Sequence, residues 1–291
     1  MHKKPEISLI ICTHNRSSIL VESLRLYLQI QTEVQYEIIV VLNACTDNTL
    51  QVVQEACKNN PHLRYVIEKK TGLSHARNAG WQNARAPFVF YIDDDAYPQK
   101  DIITVLRNCL NKNEVLCISG VTKYWSINSP AWINPEFVEA PIFRQSFGPI
   151  PSGGFINGCA CGFSKHILVQ IGGFDSRYGM KAKRIGYYDE VAAQKAIEQR
   201  GHIIYYSPDI VVFHQSHCKS VGQFLHSFFK KGQFRKRAEK VNSLKSFLWG
   251  CIYSMMGLFL LLKYWPAYGL NQAIIKSFSL PCIFFGQAFG E

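Results

Sequence analysis

Four short apolar runs recur in the first hundred residues, Ile7–Cys12, Glu37–Leu42, Arg64–Glu68 and Ala86–Ile92, each too short for a helix and rich in β-branched or aromatic side chains. Between them lie polar turns and segments of helical character, at about Ile19–Gln29, Leu50–Lys58 and Ser74–Asn83. Strand alternating with helix at this spacing predicts an α/β fold with a doubly wound, largely parallel sheet. Ligands of such sheets bind beyond the C-terminal strand ends. The loops that begin at Thr13, Asn43 and Asp93 should therefore meet on one rim. No G-x-G-x-x-G and no P-loop lysine motif follows any of the strands, which disfavours dinucleotide and P-loop folds.

The fourth run ends in three consecutive carboxylates, Asp93, Asp94 and Asp95. Strand alternation puts Asp93 and Asp95 on one face, about 7 Å apart, and Asp94 on the other. A pair of that kind can share a divalent cation, and Mg²⁺ or Mn²⁺ favours one or two carboxylates together with phosphate oxygens. A solvated acidic turn is the plainer alternative.

Of 291 residues 47% are hydrophobic, enough for a sizeable core. The ten cysteines lack CxxC pairing, and several sit inside apolar runs, which fits a reducing cytoplasm. Cys159 and Cys161 share a strand face, and His214, His217 and Cys218 cluster. A zinc site is conceivable there, although the four-ligand spacing is missing. Ile7–Cys12 is too short for a signal-peptide core, so secretion is not expected.

The net charge of +11 is concentrated: eight lysines and arginines and a single acidic residue fall between Lys219 and Lys245. A local basic stretch of this kind argues for an anionic surface rather than for nucleic acid. Apolar positions 221, 224, 225, 228 and 229 follow helical spacing at its start. Phe247–Leu262 then runs uncharged for sixteen residues, about 24 Å as a helix and short of the roughly 30 Å hydrocarbon core. Trp249, Tyr264 and Trp265 suit interfacial depths. Phe278–Phe289, interrupted by Pro281 and Gly286, reads as a segment that dips into the surface. Two domains are expected, an α/β one over 1–218 and basic, hydrophobic, membrane-associated helices over 219–291.

The order of motifs resembles glycosyltransferase family 2, whose members have the A-type glycosyltransferase (GT-A, Rossmann-like) fold. Seven stretches carry the likeness. They are Ser8–Arg16, Val40–Thr49, Gly72–Gly80, Asp93–Asp95, Gly172–Asp175, Asp189–Glu190 and Val211–His214. The resemblance implies transfer of a sugar from a nucleotide-diphosphate donor to an acceptor hydroxyl, with inversion and with Mg²⁺ or Mn²⁺ as cofactor. It implies that Thr13, Asn15, Arg16, Asn43 and Asp47 line the nucleotide, and that Arg77 lies near the pyrophosphate or the acidic cluster. Asp93 would contact ribose or the groups that surround the metal's ligands, while Asp95, in this DXD motif, would bind metal and His214 complete the coordination. Glu190 matches the second position of an acidic pair and is the expected base, with Asp189 in reserve as its orienting partner or as a helix cap.

Two positions depart from the family pattern. Leu42 stands where an acidic residue usually precedes the second turn, and Val191-Ala192 follow the acidic pair where relatives often carry another aspartate. The expected partners are a nucleotide-sugar donor, a glycan or lipid-linked acceptor and anionic lipid, at the cytoplasmic face of the inner or plasma membrane. The product would belong to cell-surface polysaccharide or glycolipid. Two readings compete: a membrane-tethered sugar-nucleotide-binding scaffold without turnover, and a sugar nucleotidyltransferase, whose Gly-rich phosphate loop is not seen.

Overall fold

A computed structural model describes residues 4–125, 133, 142–180, 188–215, 220–239 and 241–289. It forms two compact units, one of residues 1–123, 140–183 and 189–215, the other of 124–139, 184–188 and 216–291.

The first unit is built on a sheet of nine strands. β1 (Ile7–Thr13), β2 (Tyr36–Asn43), β3 (Leu63–Glu68) and β4 (Phe88–Asp93) are parallel, in the spatial order β3-β2-β1-β4. Helices α1 (Ser17–Tyr27), α2 (Thr49–Lys58) and α3 (Leu73–Asn83) connect them, close to the expected bounds. The sheet then changes character. β5 (Ala96–Pro98) and α4 (Ile102–Leu110) follow β4, and β6 (Cys117–Trp125), β7 (Gly148–Pro149), β8 (Cys161–Ser164) and β9 (Tyr205–Gln215) complete it. β8 runs antiparallel to β4 and to β6, while β5 and β7 run antiparallel to β9.

Side-chain alternation divides the core between the two faces of the sheet. Leu9, Ile11, Ile38, Val40, Phe90 and Ile92 pack with Leu20, Leu24 and Tyr27 of α1 and Ile103 and Leu106 of α4. On the other face Ile10, Ile39, Val41, Val89 and Tyr91 pack with Ala76 and Ala79 of α3 and with two further helices. Those are α5 (Lys165–Ile171), which contributes Ile167 and Leu168, and α6 (Asp189–Glu198), which contributes Ala193 and Ile197. α3 lies so close to β1 that a Cβ at Gly80 would stand 2.6 Å from the Ile10 side chain.

The second unit contains α7 (Val221–Glu239), α8 (Ser243–Tyr268) and α9 (Leu270–Phe289). Asn242 caps α8, its side chain accepting from the Lys245 amide at 2.9 Å. At 26 residues α8 extends well past the uncharged run, to about 39 Å. It is long and apolar enough to cross a membrane by length and composition. The interruption expected at Pro281 and Gly286 is not there: residues 278–289 belong to one helix, α9. Gly286 is there for contact rather than to break the helix: a Cβ on it would fall on the Phe229 carbonyl of α7. Gly257 of α8 likewise leaves room for the Ser277 carbonyl, which an added Cβ would approach to 2.7 Å.

Candidate active site

β1, β2 and β4 end in register, with Thr13 opposite Leu42 and Cys12 opposite Asp93. Their C-terminal loops are therefore neighbours. The β1 and β2 loops are knitted together by Asn15, whose backbone is left-handed (φ 52°) and whose Oδ1 accepts from the Thr46 amide at 2.7 Å and the Asp47 amide at 3.3 Å. Asp47 accepts from the Ser17 amide at 3.3 Å and the Thr49 amide at 3.0 Å. Burial raises its carboxyl, but the bonds from Thr49 and Ser17 outweigh it and the net shift is downward. Asn43 is buried; it accepts from the Gly72 amide at 2.8 Å and donates to the Lys70 carbonyl at 2.7 Å, tying β2 to the start of α3. Thr13 is also buried, at the tip of β1.

The acidic triplet corrects one expectation. The strand ends at Asp93 and the chain turns, so alternation does not place Asp94 on the far face. Instead Arg16 Nη1 donates at 2.8 Å to both Asp94 Oδ1 and Asp95 Oδ2. Main-chain carbonyls hold the turn: Ser23 Oγ donates to that of Asp94 at 2.8 Å, and the Gln215 amide to that of Asp95 at 3.1 Å. Burial and then the charge of Asp95 push the Asp94 carboxyl up to about 6 against the pull of Arg16.

β5 pairs with β9 so that Ala96 faces His214, which brings this imidazole beside the triplet. His214 Nε2 lies 3.1 Å from Asp95 Oδ1 and 3.9 Å from Asp93 Oδ2. Burial pulls the His214 pKa down, but the bond and charge of Asp95 and the charge of Asp93 outweigh it and hold the pKa above the ordinary histidine value. Two carboxylates and an imidazole that converge in this way are a donor set suited to a divalent cation. Cys159, just before β8, joins them: single ligand atoms of Asp93, Cys159 and His214 all lie within 4.8 Å of one another.

Arg77, in α3, is buried. Its Nη1 lies 2.8 Å from Asp189 Oδ2 and 3.2 Å from Glu190 Oε2, at the start of α6, and Nη2 donates to the Gly158 carbonyl at 3.2 Å. The guanidinium also stacks against Tyr91 and Phe174. Its partners are thus the acidic pair of α6. Ser74 Oγ donates to the Tyr178 carbonyl at 2.8 Å and lies 3.4 Å from Asp189 Oδ2. Burial, and then the charge of Asp189, push the Glu190 carboxyl up to about 8 against the pull of Arg77. Asn78, one residue after Arg77, explains the Gly-Gly-Phe-Asp stretch: its side chain accepts from the Phe174 amide at 2.8 Å and donates to the Phe174 carbonyl at 2.7 Å.

The two acidic centres meet at consecutive residues. A Cβ added to Gly158 would stand 3.0 Å from Arg77 Nη2 and 3.1 Å from the Glu190 carboxyl carbon. Cys159, one peptide unit or about 3.8 Å away by Cα, is the residue grouped with Asp93 and His214. Gly158 has no place among the residues that the sequence marks for chemistry. Cys159 enters only as one of the five residues of an incomplete zinc pattern; of these it meets His214, and His217 and Cys218 lie outside the described residues.

The family model for glycosyl transferase family 2 matches residues 8–172, more than half of the chain. An uncharacterized glycosyltransferase of Rickettsia felis is 30% identical over 150 residues, which is 50% of this chain and 24% of that protein. The chondroitin synthase of Pasteurella multocida is 27% identical over 119 residues, 40% of this chain and 12% of the synthase. The chain thus spans a quarter or less of the length of these curated relatives. Among solved structures, the Pyrobaculum calidifontis mannosyltransferase PcManGT, in complex with GDP-Man and Mn²⁺, aligns over 83% of this chain and 66% of its own, with TM-score 0.60 and 19% identity. S. aureus TarS 1-349 in complex with UDP-GlcNAc aligns over 93% and 90%, with TM-score 0.59 and 15% identity. With the sheet order and the motif-bearing loops already in place, these likenesses establish that the chain belongs to glycosyl transferase family 2 and has the GT-A fold.

Proposed function

We propose that this chain transfers a sugar from a nucleoside-diphosphate donor to an acceptor hydroxyl, with inversion at the anomeric carbon and with dependence on Mg²⁺ or Mn²⁺. The observation that carries the reading is the adjacency of Gly158 and Cys159, which puts the Asp93–Asp95–His214 donor set and the Arg77–Asp189–Glu190 group along one stretch of backbone. Mn²⁺ with GDP-Man in the mannosyltransferase, and UDP-GlcNAc in TarS, are in keeping with it.

Asp95 and His214, with Asp93 beside them, are the residues that would hold the cation. When bound it supplies a charge sink for the departing diphosphate. Arg16, bridging Asp94 and Asp95, puts a second positive charge where phosphate oxygens would lie. Thr13, Asn15, Asn43 and Asp47 shape the nucleotide side, the last three chiefly by holding the loops. Glu190 is the base. Its Oε2 faces Arg77, so Oε1 is the oxygen that takes the proton of the acceptor hydroxyl. The acceptor oxygen bonds to the anomeric carbon as the bond from that carbon to the diphosphate oxygen breaks, and the nucleoside diphosphate leaves. Arg77 and Asp189 act through Glu190, fixing its position and setting its basicity.

The reading extends to location. α8 exposes Leu248, Ile252, Met255, Phe259 and Leu262, and basic residues crowd the helix before it, each worth about 1 kcal/mol near an anionic surface. We place the chain on the cytoplasmic face of a membrane, anchored through α8, acting on a glycan or lipid-linked acceptor in cell-surface polysaccharide or glycolipid assembly. A screen of UDP-, GDP- and dTDP-sugars for Mg²⁺- or Mn²⁺-dependent hydrolysis tests the activity. At least one donor should be hydrolysed, and failure of all of them with both ions and with added acceptor lipids would defeat the reading.

A further inference from the structure

Burial alone does not distinguish Cys159 from the other interior thiols. Cys117 and Cys161 are also buried, all three thiols belong to the core clusters, and Cys161 lies by the charges of Arg77 and Glu190. Cys159 differs in what its sulfur faces: a carboxylate of Asp93 and an imidazole nitrogen of His214, all within 4.8 Å. The three come from separate elements, the end of β4, the turn before β8 and the end of β9.

The turn that carries the thiol is itself held. Asn157 Oδ1 accepts from the Cys159 amide at 3.1 Å, the Asn157 amide donates to Ser119 Oγ at 3.0 Å, and its side-chain amide donates to Thr122 Oγ1. β6 thus fixes the turn through two hydroxyls, the kind of outer support that orients ligands of a metal site. A carboxylate, a neutral imidazole and a thiolate match cations that accept oxygen, nitrogen and sulfur together, such as Zn²⁺ and Co²⁺. Mg²⁺ demands oxygen and gains nothing from sulfur.

We propose that Cys159 is a ligand of the cation site and biases it toward sulfur-accepting ions over Mg²⁺. This rests on the reading of Asp95 and His214 as a cation site and specifies the class of ion that the site selects.

The test uses the purified full chain, stripped of metal under reducing conditions and titrated with cobalt(II) chloride. Cobalt bound through a thiolate shows a sulfur-to-metal charge-transfer band in the near ultraviolet. The wild-type chain should develop this band to a saturating end point, Cys159→Ser should lack it, and Cys161→Ala should keep it. Competition by zinc chloride should be at least about tenfold weaker in Cys159→Ser than in the wild type, a loss of the size seen when a metal site loses a supporting group. Affinity for magnesium chloride should stay within about twofold, since Mg²⁺ does not use sulfur. Circular dichroism establishes that the serine variant is folded, and His214→Ala, which leaves the thiol in place, should also lose the band.

A band that persists in Cys159→Ser would overturn the assignment, because the sulfur would then belong to another site, and a band of unchanged strength and affinity in His214→Ala would overturn it because thiol and imidazole would then not share one ion. If the wild type binds Mn²⁺ but its cobalt spectrum shows no sulfur band, Cys159 alone is excluded and the cation site stands. If it binds neither cobalt, manganese nor magnesium, even with UDP or GDP present, the cation site itself is refuted.

Discussion

Arg77 and Asp189 form an ion pair 2.8 Å long with side chains 4% and 0% exposed. A pair so buried is held by geometry, and removing one member strands the other's charge. Arg77→Met should therefore destabilise the fold by about 3–5 kcal/mol in chemical denaturation. The double variant Arg77→Met/Asp189→Asn should lose less than the sum of the two single changes, since neither charge is then left alone. Additive losses would show that the pair is not coupled.

The same pair sets a pH dependence. Glu190, pushed up to about 8 by burial and by Asp189, is largely protonated below that pH and unable to accept a proton. Turnover should rise with pH and level off above about 8. Asp189→Asn removes a negative charge that raises the Glu190 pKa, so the rising limb should move to lower pH. A limb that stays in place in Asp189→Asn would point to a different base.

Arg16 competes for a carboxylate that the cation also needs, because its Nη1 occupies Asp95 Oδ2. Arg16→Ala should bind bare Mn²⁺ more tightly, by up to about fivefold, the worth of a part-exposed ion pair of up to about 1 kcal/mol. The same variant should bind UDP or GDP more weakly, having lost a phosphate partner. Titration calorimetry with each ligand alone reads both signs, and weaker binding of both would refute the competition.

Gly158 gives room to Glu190. A methyl at that position would lie 3.1 Å from the Glu190 carboxyl carbon and force it to shift by a few tenths of an ångström. Gly158→Ala should lower kcat by about tenfold or more with little change in donor KM, since small misplacements of reacting groups are costly. Equal effects on both parameters would mean that the turn, not Glu190, has moved.

For the membrane reading, the discriminating variant places a charge on the exposed stripe of α8. Phe259 is 70% exposed, so Phe259→Lys leaves the fold intact while disfavouring insertion. The full chain should sediment with anionic liposomes at low salt, and the variant should sediment several-fold less. Equal sedimentation would leave the basic residues, not α8, as the attachment.

The parallel half of the sheet is legible because β1, β2 and β4 are buried on both faces and read as largely apolar runs, broken only by Ser8 and Glu37, with polar loops at their ends. The antiparallel half is legible only in part: the apolar stretches 115–121 and 158–164 read as strands and hold β6 and β8, but the shortest strands leave no trace. β5 is three residues long and β7 two, too short for any periodicity, and they exist because β9 offers them an edge. Of the triplet, Asp93 and Asp95 converge on His214 as a pair, in line with the alternation, whereas Asp94 does not take the far face because the strand turns at Asp93. The motif puts Arg77 near the pyrophosphate or the acidic cluster, and its charge does act on Asp93, but its direct partners, Asp189 and Glu190, are visible only in the fold. Gly158 is a single small residue whose value lies in what it leaves out, which no spacing rule reveals.

The central claim is that a cation held near Asp95 and a base at Glu190 serve one donor and acceptor. Calorimetric titration of a hydrolysable nucleotide sugar, with and without Mn²⁺, into Asp95→Ala and Glu190→Gln separates the two roles. The account predicts that Asp95→Ala loses the Mn²⁺-dependent part of donor binding, while Glu190→Gln keeps it in full and fails to turn the donor over. Mn²⁺-dependent binding that survives in Asp95→Ala, or turnover that survives in Glu190→Gln, would contradict it.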